Sequence, residues 1–167
     1  MKVGEDFSKI LADMRLERTR SKVAARRAVK IRAMVHDRVG SIDVNLLDHV
    51  LEVLGRIPPG VEVNKFSCFG SLSKKGNFHR NWNRRWFVFD LRERQLSYYT
   101  DSTLAQKKGS FMLSEVMSVR RITDHRDYPF AMDVATKLGR VYHIHADTED
   151  VLNVWLTVLD SIAPLSD

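Results

Sequence analysis

One cysteine, Cys68, stands in 167 residues, so no disulfide can form within the chain and no cysteine-rich zinc site can be built from it. It falls in a run that alternates like a strand, where it reads as a small strand residue rather than a nucleophile, and a reducing, cytosolic setting fits. Long apolar runs are lacking too. None approaches the roughly 18 residues of a membrane span, and Met1 to Asp6 lack the apolar core of a secretory leader. There is no glycine-rich phosphate loop, no Gly-x-Ser-x-Gly elbow and no zinc-protease motif. His143 and His145 have a spacing at which two imidazoles can share a metal, but Tyr142, Ile144 and Ala146 read as the buried side, and no third ligand accompanies the histidines. Asp147, Glu149 and Asp150 open a helical pattern, where the helix dipole favours carboxylates structurally. The expectation is no enzyme activity, no cofactor and no metal.

Acidic residues are the minority among the charges. Lys and Arg number 27 against 21 Asp and Glu, a net charge of +6 that points to an anionic partner. Phosphoinositide headgroups, acidic membranes, nucleic acids and acidic proteins all qualify, as does a plain basic surface. With 44% apolar residues the chain can bury a core, either as one domain or as a domain of about 100 residues plus an extension.

Residues 7–38 contain no Gly or Pro and read as one long helix. Phe7, Met14, Ala28 and Val35 fit one heptad seam position, and Ile10, Ala24 and Ile31 the other, while Glu17, Ser21 and Arg38 spoil the frame. Between Arg15 and Arg32 stand eight Lys or Arg against Glu17 alone. Such a helix suits an anionic membrane or an acidic groove, or is an ordinary solvated face; paired with a copy of itself it would make a homodimer. Gly40 ends it, and residues 42–54 form an amphipathic helix with a stripe of Val44, Leu47, Leu51 and Leu54, capped by Gly55. Ile57-Pro58-Pro59-Gly60 then interrupts regular structure. The layout expected is a helical extension over 1–56, a linker over 57–64, and a domain over 65–163.

That domain switches to period two. Phe66, Cys68, Gly70 and Leu72 alternate with Ser67, Phe69, Ser71 and Ser73, and strands follow at 84–90, 95–100, 107–113, 116–122, 130–134 and 140–146. The pattern 147–163 returns to helical spacing, with Val151, Leu152, Val154, Trp155, Val158, Leu159 and Ile162 on its apolar side. Seven antiparallel strands and one helix predict a barrel or sandwich with the helix plugging an open end and Trp155 as its anchor.

Charge concentrates between Lys74 and Arg85: Lys74, Lys75, Arg80, Arg84 and Arg85 with His79, and no acid, folded into one turn between strands. Guanidinium groups pair phosphate oxygens bidentately and lysines add point charge. Alternation puts Lys74 with Leu72, and Arg85 with Phe87; Trp86 and Val88 are then expected to face the core. Lys107, Lys108, Arg120, Arg121 and Arg126 could extend the positive face, although Arg120 and Arg121 must point to opposite sides.

Gly70-Ser71-Leu72-Ser73-Lys74, then Trp82-Asn83-Arg84-Arg85-Trp86-Phe87-Val88, then Trp155 in the closing helix, occur in the order and spacing of a pleckstrin homology (PH) domain, which residues 65–163 resemble. Phe87-Val88-Phe89-Asp90, Leu96-Ser97-Tyr98-Tyr99, Lys108-Gly109 and Val154-Trp155 are similar to the LL5-type group, in which a coiled coil precedes the PH domain. The resemblance implies that Lys74 and Arg85 grip headgroup phosphates, helped by Tyr99 and Lys108. Asn83 departs from the pattern, since strong binders carry a cation there; Lys75 and Arg80 are the neighbouring cations that add to the site. Phe78, at the loop tip, either dips into a bilayer or packs on the loop.

The reading is a non-catalytic recruitment module for phosphoinositides or anionic membrane, cytoplasmic and peripheral at the membrane or cell cortex. The alternative is a scaffold module whose barrel or helical extension binds a protein partner. Nucleic acid is a remote third, lacking a recognition helix or RNA-binding strand signature.

Overall fold

The structure, a computed structural model, describes residues 45–78 and 80–164. The helix expected over 7–38, the first turn of the helix expected over 42–54, and His79 lie outside the described residues.

Helix α1 (Leu46–Leu54) buries Leu46, Leu47 and Val50 in the same core as the strands, with Val53 and Leu54 packed against it. Gly55 ends it in the left-handed region (φ 67°), where its N–H donates to the Leu51 carbonyl at 2.9 Å. The helix is therefore continuous with the domain core.

The segment expected to be a linker contains a strand. β1 (Val61–Val63) pairs antiparallel with β2 (Ser67–Lys75), Val61 opposite Gly70 and Val63 opposite Cys68. Three residues are too few to display a period of two, which is why only the pairing reveals it. The contact also explains Gly70: a Cβ there would stand 2.4 Å from the Gly60 carbonyl oxygen.

The remaining strands are β3 (Trp82–Asp90), β4 (Gln95–Tyr99), β5 (Lys107–Met112), β6 (Val116–Ile122), β7 (Ala131–Thr136) and β8 (Val141–His145). A 3-10 turn, Leu113–Glu115, links β5 to β6, and α2 (Glu149–Asp160) closes the chain. The sheet runs β5-β4-β3-β2-β8-β7-β6, all antiparallel neighbours, with β1 beside β2. The seven expected strands and the closing helix are all present. Thr148 caps α2, its hydroxyl accepting from the Val151 N–H at 3.2 Å. Trp155, fully buried, meets Phe87 edge-on with ring centroids 6.2 Å apart.

One facing is the reverse of the expected one. Phe87 and Phe89 are the core residues of β3, whereas Trp86 and Val88 are half-buried on the outer face, Trp86 against Phe69. Both faces of 86–89 are apolar, so alternation alone does not choose between them. The register does: Cys68 lies opposite Phe89 and Leu72 opposite Arg85, and directly opposed residues share a face. Lys74, Asn83 and Arg85 consequently extend the core-facing rows of β2 and β3 toward one end of the barrel. Cys68 is fully buried, which pushes its thiol well above the ordinary range and leaves it unreactive.

Candidate anion-binding site

At that end of the barrel the inward row of β2 finishes on a lysine instead of an apolar residue. Lys74 is only 8% exposed. Its Nζ donates to the Lys75 carbonyl at 3.2 Å and sits 5.1 Å and 5.6 Å from the ring centroids of Tyr98 and Tyr142. No carboxylate pairs with it among the described residues. Burial holds its pKa below the ordinary lysine value, and the charges of Arg140 and Arg85 push the same way. A cation in this position is under-compensated by the protein, and an anion entering the site would supply what is missing.

Lys74 opens into a pocket of about 210 Å³. Arg85 reaches it from β3 and Lys108 from β5; Arg140, just before β8, completes the four cations. Arg140 is stacked over the Tyr142 ring, its Cζ 4.4 Å from the centroid, and the Arg85 Nη1 donates to the Arg84 carbonyl at 2.9 Å. Tyr98 and Asn83 line the wall, and Gly76, Asn77 and Phe78 of the β2–β3 loop form one lip.

Among the residues expected from sequence, Lys74, Arg85, Lys108 and Phe78 are brought together here. Three are not. Lys75 is on the outer face of β2, over a separate depression shared with Trp82 and His125. Arg80 lies exposed in the loop with φ 50° and does not line the pocket. Tyr99 is opposite Trp86 on the outer face, while Tyr98, opposite Phe87, occupies the wall. Tyr98 and Arg140 went unrecognised as site residues, although alternation carries a signal for both: Leu96 and Tyr98 share a face of β4, and Arg140 continues the row of Tyr142 and Ile144.

The wider positive face is paired in part. Arg84 pairs with Asp147 at 2.9 Å, Arg121 with Glu149 at 3.2 Å, and Arg120 loosely with Asp133 at 3.7 Å. His143 is exposed and bonds Asp133 at 2.6 Å. His145, expected on the solvent face, is instead half-buried, stacked on Tyr128 and edge-on to Trp82. The β6–β7 loop folds over it, a tertiary contact that strand alternation does not encode. Among the described residues, no group of three His, Cys, Asp or Glu is placed to hold a metal.

The family model for the PH domain matches residues 67–164, more than half of the chain. The chain belongs to the PH domain family. Over 90 residues it is 32% identical to Sesquipedalian-1 of Homo sapiens, covering 54% of this chain and 35% of that protein. Over 92 residues it is 29% identical to Switch-associated protein 70 of Bos taurus, covering 55% of this chain and 15% of that one. The matched region thus spans about a third or less of these relatives. The C-terminal PH domain of pleckstrin, solved in complex with D-myo-Ins(1,2,3,5,6)P5, superposes with a TM-score of 0.51 at 20% identity, covering 57% of this chain and 93% of that one. The PH domain of human oxysterol binding protein-related protein 11 gives 0.50 at 18% identity, with 57% and 78% covered. Both share the PH fold.

Proposed function

We propose that this PH domain is a non-catalytic membrane-recruitment module that binds a phosphoinositide headgroup in the pocket of Lys74, Arg85, Lys108 and Arg140. The observation that carries the reading is Lys74: a nearly buried ammonium, without a carboxylate partner among the described residues, aimed into a pocket that three more cations line. Burying uncompensated charge destabilises a fold, and a site that tolerates it is suited to an anionic ligand. Several phosphates spread over one ring would meet cations from three separate strands and one turn, each able to contribute charge-assisted hydrogen bonds. Family membership supports the same ligand class. Asn83, opposite Lys74, supplies an amide where another cation would strengthen the grip.

The protein-binding alternative has an observation of its own. A groove of about 400 Å³ on the outer face of β2 and β3 is lined by Phe69, Trp86, Val61 and Pro59. It is separate from the cationic pocket, so the two activities are separable by mutation.

The test is sedimentation of the full chain with vesicles containing phosphoinositide. Lys74→Ala with Arg85→Ala is expected to reduce pelleting by about tenfold or more, while Arg84→Ala, which removes one outward charge paired to Asp147, changes it little. Pelleting indifferent to the double substitution would eliminate the pocket as the lipid site.

A further inference from the structure

The groove on the outer face of β2 and β3 has a lining that selects its occupant. Register builds it. Ser71 of β2 stands directly opposite Trp86 of β3, and Glu62 of β1 directly opposite Phe69 of β2. All four therefore share the face turned away from the core. The Phe69 and Trp86 rings lie 6.0 Å apart at 48° and make one aromatic ledge. Pro59 and Val61 wall it on the side of β1, and Val151 on the side of α2.

The polar groups of the groove are unevenly satisfied. Arg84 and Asp147 pair with each other at 2.9 Å. Among the described residues, the exposed Glu62 carboxylate has no ion pair. Neither the Trp86 indole N–H nor the Ser71 hydroxyl has a hydrogen-bond partner among them. The groove thus offers an aromatic ledge, two donors and one uncompensated carboxylate. β2 and β3 are bonded to each other from Ser67 opposite Asp90 to Lys75 opposite Trp82, so no free edge runs between them for an added strand. A helical peptide satisfies its own carbonyls and has no use for the donors. A polyproline II segment keeps its carbonyls free, its prolines bring no N–H, and their rings pack on aromatic faces. A cation beside those prolines would meet Glu62.

We propose that this groove binds a proline-rich segment of a partner protein that carries an arginine or lysine beside its prolines. Phe69 and Trp86 form the surface on which the prolines lie, and Glu62 holds the cation. The proposal rests on the protein-binding reading of the groove and is independent of the cationic pocket. Trp86 and Arg85 point to opposite faces of β3, so headgroup and partner do not compete for one space.

The experiment titrates the full chain into a fluorescein-labelled polyproline peptide bearing an arginine at one end, followed by fluorescence anisotropy. Saturable binding is expected, weakened about tenfold by Trp86→Ala and about threefold by Glu62→Gln. Glu62→Lys, a change at an exposed position that leaves the core intact, is expected to reverse the preference, so that a glutamate-ended polyproline peptide binds better than the arginine-ended one. Thermal denaturation of each variant reports its folding, and the Glu62 pair tests the groove even where Trp86→Ala unfolds. A proline-free peptide of residues 15–32, the basic stretch of this chain, binding as tightly and with the same sensitivity to Trp86→Ala would overturn the proline-rich partner and leave the groove a protein site. Binding of the polyproline peptide that is indifferent to the changes at both Trp86 and Glu62 would overturn the groove itself. Binding of neither peptide would overturn the proposal.

Discussion

The phenol of Tyr98 lies over the α-carbon of Gly109, so close that a Cβ built there would stand 2.3 Å from the hydroxyl oxygen. The two residues face each other across β4 and β5, next to a break in register at Tyr98 and Tyr99. Tyr98 in turn supports the Lys74 ammonium. Gly109 thus sets the position of the pocket wall from the neighbouring strand. Gly109→Ala is expected to destabilise the domain by about 1–3 kcal/mol, as overpacking does, and to weaken headgroup binding. Tyr98→Ala in the same chain should recover part of the stability but none of the binding. A double-mutant cycle by denaturant titration reads the coupling.

Lys74 holds charge where the fold would be more stable without it. Lys74→Met keeps the length of the side chain and removes the buried charge, so stability should rise by about 1 kcal/mol while vesicle binding is lost. The pH dependence has a definite sign. The folded pKa of Lys74 lies below its ordinary value of 10.5, so between the two the unfolded chain binds the extra proton. Wild-type stability therefore gains on Lys74→Met as pH is raised toward that value. Paired denaturation curves at neutral and alkaline pH check it; a constant difference would refute it.

Acid should act through His145. Burial beneath Trp82 and Tyr128 holds its pKa below the ordinary 6.5, outweighing the hydrogen bond involving the Ala146 backbone and the Asp147 charge. The fold favours the neutral ring. Its stabilisation is complete above 6.5 and is lost as pH falls from there through the lower folded value. His145→Phe is expected to flatten the stability profile over that interval, measured by thermal denaturation across mildly acidic buffers.

Asn83 lines the pocket opposite Lys74, with its Nδ2 donating to the Asn81 carbonyl at 3.1 Å. Asn83→Arg places a fifth cation at the pocket and should raise phosphoinositide-vesicle affinity about tenfold. The same variant on vesicles bearing phosphatidylserine alone should gain much less, since screened surface charge contributes weakly. Comparable gains on both would mean that the arginine acts as general surface charge.

Residue pattern alone carried the strands, the closing helix, the Trp155 anchor and the cluster of Lys74 and Arg85, because each has a local signature. Alternation, capping, helical spacing and charge density are all readable within a few residues. Where both faces of a strand are apolar, as at residues 86–89, the same alternation points either way, and the facing was read in reverse. Tyr99 was named for Tyr98 in β4, where both positions carry the same residue type.

What the sequence by itself determined is the inventory: a PH-type succession of strands and helix, a cation-rich turn, and an excess of positive charge. Tertiary structure decided which cations converge. Register placed Arg140, more than sixty residues from Lys74 in sequence, at the same pocket, and sent Lys75, Arg84 and Tyr99 to the other face. It also joined Val61–Val63 and α1 to the core across a pair of prolines. The physical reason is that alternation fixes only relative facing along one strand, whereas absolute facing and convergence depend on hydrogen-bonded pairing between strands distant in sequence.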